Sequence, residues 1–245
     1  MRDLDRYQAD YAALPFEDIQ AAYRRRHLLE SLANHGGMRV LEVGCGAEAL
    51  FLHYPGFESM HVVEPAEHFH AMALSAAGAN AAIRVLRGTL EQLAADLASH
   101  EFDCIVLSSL LHEVPDPVAL LTAARTLCHR GTKLHVYVPN ARSFHRLLAL
   151  EMGLIKDVFE KSATQQRMQQ AATYDRDTLE TRLKAAGFDV LESGSFFIKP
   201  FTHAQMAILR EQGLLTNAML DGLYKLGRHL PDAGSELYAI ARRSD

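Results

Sequence analysis

Two glycines and two acidic residues carry the clearest chemical signal in this sequence. Gly44 and Gly46 stand one residue apart and directly follow the apolar run at residues 40–43. An apolar run that leads through a glycine turn into a helix is typical of nucleotide sites in parallel α/β domains. Glycine permits the unusual backbone angles of such a turn, and without a Cβ it lets a ligand lie against the main chain. We therefore predict a strand, a ligand-binding turn and a helix that begins at about residue 50.

The two acids strengthen this prediction. Glu42 lies inside the apolar run, where an unpaired carboxylate would be costly. Glu64 ends the next apolar run and follows Gly44 by 20 residues. At that distance an acid commonly accepts hydrogen bonds from the two ribose hydroxyls of an adenosine ligand. Two ordinary surface acids are the alternative interpretation, and the joint spacing favours the ligand site.

The segment at 41–46, Leu-Glu-Val-Gly-Cys-Gly, followed by Val-Glu-Pro at 63–65, resembles the S-adenosylmethionine-binding core of class I methyltransferases. The resemblance implies an α/β fold, a Rossmann-like doubly wound sheet of seven mostly parallel strands with an antiparallel last strand, plus helical lid insertions. It also implies S-adenosyl-L-methionine as cofactor and S-adenosyl-L-homocysteine as product.

A nicotinamide-dependent oxidoreductase is the competing interpretation, because Gly44, Gly46 and Ala49 also match the dinucleotide fingerprint. The acid at position 42 favours the methyltransferase, since that family uses an acid there, usually through water, to hold the methionine amino group. Glu48 departs from the family, in which many relatives carry a third glycine at this place. The loop after Gly46 is therefore expected to have a different shape.

The resemblance assigns further residues to the cofactor. The residues that it places there are Glu42, Gly44, Cys45, Gly46, Glu64, Pro65, Thr89, Leu90, Ser108, Ser109, Tyr11 and Arg24. Thr89 and Leu90 would border the adenine, although a helix cap completed by Gln92 explains Thr89 equally well. Tyr11 and Arg24 are candidates for the methionine carboxylate.

The second informative stretch follows the fourth predicted strand, at 102–107. Related small-molecule methyltransferases show Leu-Glu-His-x-x-Asp-Pro here, and this chain exchanges the order to Leu111-His112-Glu113. Ligands bind beyond the carboxyl ends of strands in an open parallel sheet, so His112 is a candidate general base near the transferred methyl group. A histidine that only caps the loop is the alternative. The Asn/Asp-Pro-Pro-aromatic sequence of enzymes that methylate base amines is missing from this place.

Polar residues also follow the fifth predicted strand, at 133–138. We expect Asn140, Arg142 and His145 to converge on the substrate space, with the first two as substrate contacts and His145 as a second candidate catalytic residue. His203 is a further substrate candidate. Helix capping by Asn140 and ordinary surface charge are the alternatives.

The chain divides into an N-terminal helical cap at 1–37 and a methyltransferase domain at 38–245. Lid insertions are predicted at about 141–173 and 202–234, and the last strand, at 236–241, should insert antiparallel. The 245 residues are 49% hydrophobic, enough for one large domain with its own core.

The net charge of −5 provides no basic field for a phosphate backbone, which argues against nucleic acid as a partner. The three cysteines show no metal or disulfide spacing and indicate reduced thiols in the cytoplasm. We expect no membrane span and no metal site. A homodimer is compatible with the sequence.

We therefore expect an enzyme that methylates a hydroxyl or amine of a small molecule, either a sugar or polysaccharide precursor or a secondary metabolite. Methyl transfer is an in-line displacement at an already activated sulfonium, so the protein mainly aligns the reactants and excludes water. A non-catalytic S-adenosylmethionine-binding or scaffolding module is the alternative, since fold does not determine function. The oxidoreductase ranks third.

Overall fold

A computed structural model of the protein describes residues 14–245. Tyr11 therefore lies outside the described residues. The helices and strands follow one another in the order α1 (Glu17–His35), β1 (Arg39–Val43), β2 (Ser59–Glu64), α2 (Glu67–Ala77), β3 (Ile83–Arg87), α3 (Leu90–Leu97), β4 (Cys104–Ser108), α4 (Pro117–Thr126), β5 (Lys133–Pro139), α5 (Phe144–Glu151), α6 (Ala163–Arg167), α7 (Arg176–Ala185), β6 (Phe188–Phe196), α8 (His203–Glu211), α9 (Asn217–Leu226) and β7 (Glu236–Arg243).

The strands form one seven-stranded sheet in the order β3-β2-β1-β4-β5-β7-β6. The first five strands of the chain pair in parallel, whereas β7 runs antiparallel to both β5 and β6. This arrangement confirms the predicted sheet and its antiparallel last strand. The strand order reverses between β1 and β4, and a reversal of this kind opens a crevice at the carboxyl ends of the two strands.

Apolar side chains cover both faces of the sheet. Because successive strand residues point to opposite faces, Val40 packs with Leu28 and Leu32 of α1, whereas Leu41 belongs to the core that includes Leu120 of α4. The helix at the N-terminal end of the described chain is thus packed on the sheet. It positions one wall of the crevice.

The segment after β1 differs from the prediction of a helix there. Only a single 3-10 turn, Leu50–Leu52, forms between β1 and β2. Pro55 has no N–H to donate and disfavours helical angles in the residue before it, so a helix that began at Leu50 would end within about one turn. The connection between the two strands is therefore mostly irregular.

Both predicted lid insertions contain helices. α5 and α6 lie in the first insertion, and α8 and α9 lie in the second. The His112 carbonyl accepts hydrogen bonds from the backbone N–H groups of Ala171 and Ala172, at 2.9 and 3.1 Å, which ties the first insertion to the loop after β4. Within residues 14–245, no helix has the length and apolar character needed to cross a bilayer.

Candidate functional site

A cavity of about 1090 Å³ lies beyond the carboxyl ends of β1, β2 and β4 and against α1. Typical ligand pockets enclose roughly 300–1,000 Å³, so this space can hold a nucleotide-sized ligand together with part of a second molecule. The residues that the sequence assigned to a cofactor and that line this cavity are Arg24, Glu42, Gly44, Cys45, Gly46, Glu64, Pro65, Ser108 and Ser109.

The glycine turn forms the floor of the cavity. Gly44 has a φ of 76° and Gly46 a φ of 58°, which are left-handed angles that favour glycine. The Gly44 N–H donates to the Val63 carbonyl at 2.8 Å, so the turn is attached to β2. A Cβ on Gly44 would lie 3.4 Å from Leu110 and would reduce the space between the β1 and β4 loops.

Glu64 holds the turn from the tip of β2. Its Oε2 accepts from the Gly46 N–H at 3.2 Å, and its Oε1 accepts from the Ala66 N–H at 2.9 Å. Burial raises the pKa of the Glu64 carboxyl, and these backbone hydrogen bonds partly offset the rise. A carboxylate has about four lone-pair sites, so Glu64 retains acceptor capacity for a ligand.

Glu42 lies on the other side of the turn, inside β1. The residue is only 6% exposed, and its Oε2 accepts from the Leu50 N–H at 2.9 Å. Burial raises the pKa of Glu42 to about 8, and the nearby Glu64 adds to the rise. Without a cation beside it, the Glu42 carboxyl is therefore mostly protonated at neutral pH.

The tip of β4 supplies the opposite wall. Ser109 has a φ of 58°, an unusual angle for a residue with a side chain, and its N–H donates to the Tyr137 carbonyl at 2.9 Å. Strained backbone of this kind occurs preferentially at ligand sites, where the surrounding structure maintains it. Ser108, Ser109 and Leu110 all line the cavity.

Of the neighbours His112 and Glu113 in the β4 loop, Glu113 lines the cavity. His112 is only 2% exposed and is not part of the cavity wall; its Nε2 lies 3.7 Å from the Glu113 Oε1. The side chain of His112 thus does not line the cavity, and its role as a general base near the transferred methyl group stays a prediction. Sequence reasoning overlooked Glu113, although the exchanged order of His112 and Glu113 was the signal that pointed to it.

A buried polar cluster adjoins the cavity at α1. Arg24 lines the cavity, and its Nη2 lies 2.8 Å from Glu236 Oε1 and 3.2 Å from Glu17 Oε1. Gln20 Nε2 donates to the same Glu236 oxygen at 2.6 Å. The Arg24 guanidinium is thus held in place by two carboxylates, one of which comes from the first residue of β7.

Lys199 extends this cluster. Its Nζ donates to Gln20 Oε1 at 3.0 Å, and burial lowers the pKa of Lys199 to about 8. His203, the predicted substrate contact, lies beside it, with Nε2 at 3.2 Å from Lys199 Nζ and 3.6 Å from Glu17 Oε2. His203 does not line the cavity. Gln20 and Glu236 had no sequence signal, because they meet only in the folded chain.

Two residues that the family resemblance placed beside the adenine lie outside the cavity wall. Thr89 is the N-cap of α3, and its backbone N–H donates to Gln92 Oε1 at 3.1 Å. Leu90 lies in the core and is 1% exposed. The helix-cap interpretation of Thr89 is confirmed. A contact of Thr89 or Leu90 with a cofactor stays a prediction.

The polar residues after β5 lie apart from the large cavity, and the roles of Asn140 and Arg142 as substrate contacts and of His145 as a catalytic residue stay predictions. Asn140 and Arg142 line a separate depression of about 420 Å³, and Asn140 Nδ2 donates to the carbonyls of Asp232 and Gly234 at 2.9 and 2.8 Å. His145 lines neither space. Burial lowers the pKa of His145 to about 2, so this histidine is neutral at physiological pH. The two hydrogen bonds from the Asn140 amide connect the loop after β5 to the loop before β7.

Within the described part of the chain, no group of three His, Cys, Asp or Glu side chains is arranged to hold a metal ion.

A sequence profile described as a methyltransferase domain matches residues 16–193 of this chain, which is more than half of its length. The chain belongs to the class I S-adenosylmethionine-dependent methyltransferases. The protein is therefore an enzyme, and its cofactor is S-adenosylmethionine, as predicted. The matched region includes the glycine turn, Glu42, Glu64 and the loop after β4.

Three solved structures with this fold align with most of this chain. N-methyltransferase NodS from Bradyrhizobium japonicum WM9, in complex with S-adenosyl-L-homocysteine, has a TM-score of 0.60 and 16% identity, over 99% of this chain and 97% of its own. The plantazolicin methyltransferase BamL has a TM-score of 0.59 and 12% identity, over 94% and 88%. An S-adenosylmethionine-dependent methyltransferase from Mesorhizobium loti has a TM-score of 0.58 and 19% identity, over 90% and 98%. Among curated proteins, no sequence matches this one.

Proposed function

We propose that the large cavity binds S-adenosylmethionine and that the enzyme transfers its methyl group to a hydroxyl or amine of a small molecule. One observation carries this proposal: Glu42 and Glu64 line the same cavity on either side of the Gly44–Gly46 turn. A glycine turn with a carboxylate on each side suits a ligand that has a ribose at one end and an ammonium at the other.

Each group of the cofactor has a partner in this arrangement. Glu64 accepts from the ribose hydroxyls, and Glu42 stabilises the methionine ammonium. The backbone of Gly44 allows close approach, and Ser108 and Ser109 border the methionine side. Arg24 is the candidate partner of the methionine carboxylate. Its guanidinium already pairs with Glu17 and Glu236, so the cofactor carboxylate would be a third anion beside the same guanidinium.

The acceptor occupies the part of the cavity between α1 and the β4 loop. A small molecule suits a cavity that holds little more than the cofactor and one further group. A sugar or polysaccharide precursor, or a secondary metabolite, is the proposed class. The plantazolicin methyltransferase BamL and the N-methyltransferase NodS have this fold and support a small-molecule acceptor. The cytoplasmic location and the homodimer stay predictions.

The protein's part in the reaction is alignment. The sulfonium is already an activated methyl donor, so the chain must hold the acceptor atom in line with the carbon–sulfur bond and exclude water. The half-buried tip of β4 and the buried residues Arg24 and Leu28 of α1 form walls of the cavity that suit this role.

Isothermal titration of the purified chain tests the proposal. We expect S-adenosylmethionine and S-adenosylhomocysteine to bind and NADH not to bind. Glu64→Gln should weaken both ligands by about 10-fold to 100-fold, the equivalent of one hydrogen-bonded charged group. Glu67→Gln is the matched control, because the Glu67 side chain is 77% exposed and lies outside the cavity wall. Binding of NADH alone, or equal affinities in both variants, would contradict the proposal.

A further inference from the structure

A closed polar ring of six side chains lies beside the cavity, where α1 meets the start of β7 and the segment between β6 and α8. Each member contacts the next, in the order Arg24, Glu236, Gln20, Lys199, His203 and Glu17, and the last contacts the first. The contacts span 2.6 to 3.6 Å. Arg24 and Glu17 line the cavity, and the other four stand behind them. The polar ring therefore connects the cavity wall to the interior of the protein.

Lys199 is a cation of the polar ring that lies away from the cavity. The residue is 2% exposed, and its Nζ lies 3.0 Å from Gln20 Oε1 and 3.2 Å from His203 Nε2. Burial lowers the pKa of Lys199 to about 8, although Glu17 and Glu236 favour its charged form. Lys199 is thus mostly protonated at pH 7. A buried ammonium is costly unless hydrogen bonds and opposite charges compensate it, and the polar ring supplies both.

A neutral group separates Lys199 from each of the two carboxylates. The Gln20 amide accepts from Lys199 through Oε1 and donates through Nε2 to Glu236 at 2.6 Å. Burial lowers the pKa of His203 to about 3, and Lys199 adds to the fall, so this imidazole is neutral at pH 7. It lies between Lys199 and Glu17 Oε2, which is 3.6 Å from His203 Nε2. Lys199 therefore acts on both carboxylates across one intervening side chain.

Arg24 contacts the same two carboxylates directly. Its Nη2 lies 2.8 Å from Glu236 Oε1 and 3.2 Å from Glu17 Oε1. Two anions beside one guanidinium oppose the binding of a third anion there, and in a buried setting this repulsion is only weakly screened. A cation that acts on both carboxylates from behind offsets part of the repulsion, and hydrogen bonds in a chain polarise one another. Lys199 has that position.

We infer that Lys199, acting through Gln20 and His203, is a positioning residue for the carboxylate of the cofactor's methionine part. It offsets the charge of the two carboxylates that pair with Arg24, so that the guanidinium can take a third anion. This inference rests on the proposed function, in which Arg24 is the partner of that carboxylate. Lys199 should therefore matter for ligands that carry the carboxylate and not for ligands that lack it.

Two ligands that differ only in this carboxylate test the inference. S-Adenosyl-3-thiopropylamine has the adenosine, the thioether and the amine of S-adenosylhomocysteine but no carboxylate. Lys199→Met replaces the ammonium by an apolar chain of similar length. By titration calorimetry we expect this variant to bind S-adenosylhomocysteine about 10-fold more weakly and the thiopropylamine within about twofold of the unaltered protein. Equal weakening of both ligands, as a merely structural role would give, or no weakening of either, would overturn the inference.

A second variant interrupts the polar ring and leaves every charge in place. Gln20→Leu removes the link between Lys199 and Glu236, and should weaken S-adenosylhomocysteine relative to the thiopropylamine by about threefold or more. Ser31→Ala is the matched control, because Ser31 is also buried on α1 but its Oγ contacts His135. The ratio of the two affinities should not change in this control. An unchanged ratio in Gln20→Leu would overturn the inference even if Lys199→Met does not fold.

The unaltered protein separates this inference from the proposed function. We expect it to bind S-adenosylhomocysteine more tightly than the thiopropylamine. Equal affinities would overturn the inference and leave the proposed function intact, because the cofactor would then bind without help from its carboxylate. Failure to bind either ligand would instead overturn the proposed function.

Discussion

The Arg24 guanidinium lies 2.8 Å from the Glu236 carboxylate, although 212 residues separate them in the chain. Glu236 is fully buried at the start of β7, and its Oε1 also accepts from Gln20. A buried carboxylate is stable only when a cation and hydrogen bonds compensate it. This pair therefore joins α1, which forms a wall of the cavity, to the antiparallel end of the sheet.

Removal of either charge should destabilise the fold. Glu236→Leu alone, or Arg24→Met alone, is expected to lower the free energy of unfolding by about 3–5 kcal/mol, because each leaves a buried charge with fewer partners. The double variant Arg24→Met with Glu236→Leu should recover a large part of that loss, since neither charge remains. Urea denaturation of the three variants measures the coupling. Costs that simply add would show that the two residues do not interact.

Cofactor binding should release a proton from Glu42. Burial raises the pKa of its carboxyl to about 8, so most molecules of the free protein carry this proton at pH 7. The cofactor ammonium favours the ionised form and lowers that pKa. We expect about one proton to be released per cofactor bound, and the affinity to rise with pH until about pH 8. Titration calorimetry at pH 7 in buffers of different ionisation enthalpy measures the release, which Glu42→Gln should abolish.

The stability of the cofactor-free protein should also depend on pH, through the half-buried His27 and the buried His135 between α1 and the sheet. Burial lowers the pKa of His27 to about 4 and that of His135 to about 3. Below about pH 6.5 the unfolded chain binds protons that the folded chain does not. The stability from these residues is therefore complete above pH 6.5 and is lost as the pH falls through 4.

Glu42 acts in the opposite direction over part of this range, so a variant is needed to separate the two effects. Its carboxyl has a higher pKa in the folded state, and its contribution is lost as the pH rises from about 4.5 to 8. His27→Phe keeps the stacking on Phe196 and should reduce the slope of unfolding free energy with pH by about 1.4 kcal/mol per unit near pH 5. An unchanged slope, or the same change in exposed His229→Gln, would contradict this account.

Two glycine substitutions should have opposite effects. Gly44→Ala places a Cβ at a φ of 76°, 3.4 Å from Leu110, and is expected to cost about 1–3 kcal/mol of stability and to weaken cofactor binding. Gly222→Ala lies within α9 with no atom near its Cβ, and should stabilise the protein by about 0.4–1 kcal/mol. Thermal unfolding and titration of both variants test the pair. Equal behaviour would mean that the turn does not require glycine.

The sequence by itself determined the sheet and the part of the cavity around the glycine turn. Strand tips of a parallel sheet meet at one edge, so the glycine turn, Glu42 and Glu64 had to come together once the strands formed. The lid helices and the antiparallel β7 were readable for a similar reason, since apolar periodicity and turn residues are local properties. The helix after β1 was the exception, because Pro55 limited it to the single turn Leu50–Leu52.

Only the tertiary structure decided which side chains of the loops line the cavity. His112 and Glu113 are neighbours in sequence, and the backbone of the loop after β4 determines which of them reaches the cavity. The partners of Asn140 and Glu236 lie on distant segments, so their burial and hydrogen bonds exist only in the packed chain. Local patterns specify backbone elements and strand ends, whereas the direction of a loop side chain depends on contacts that no local pattern contains.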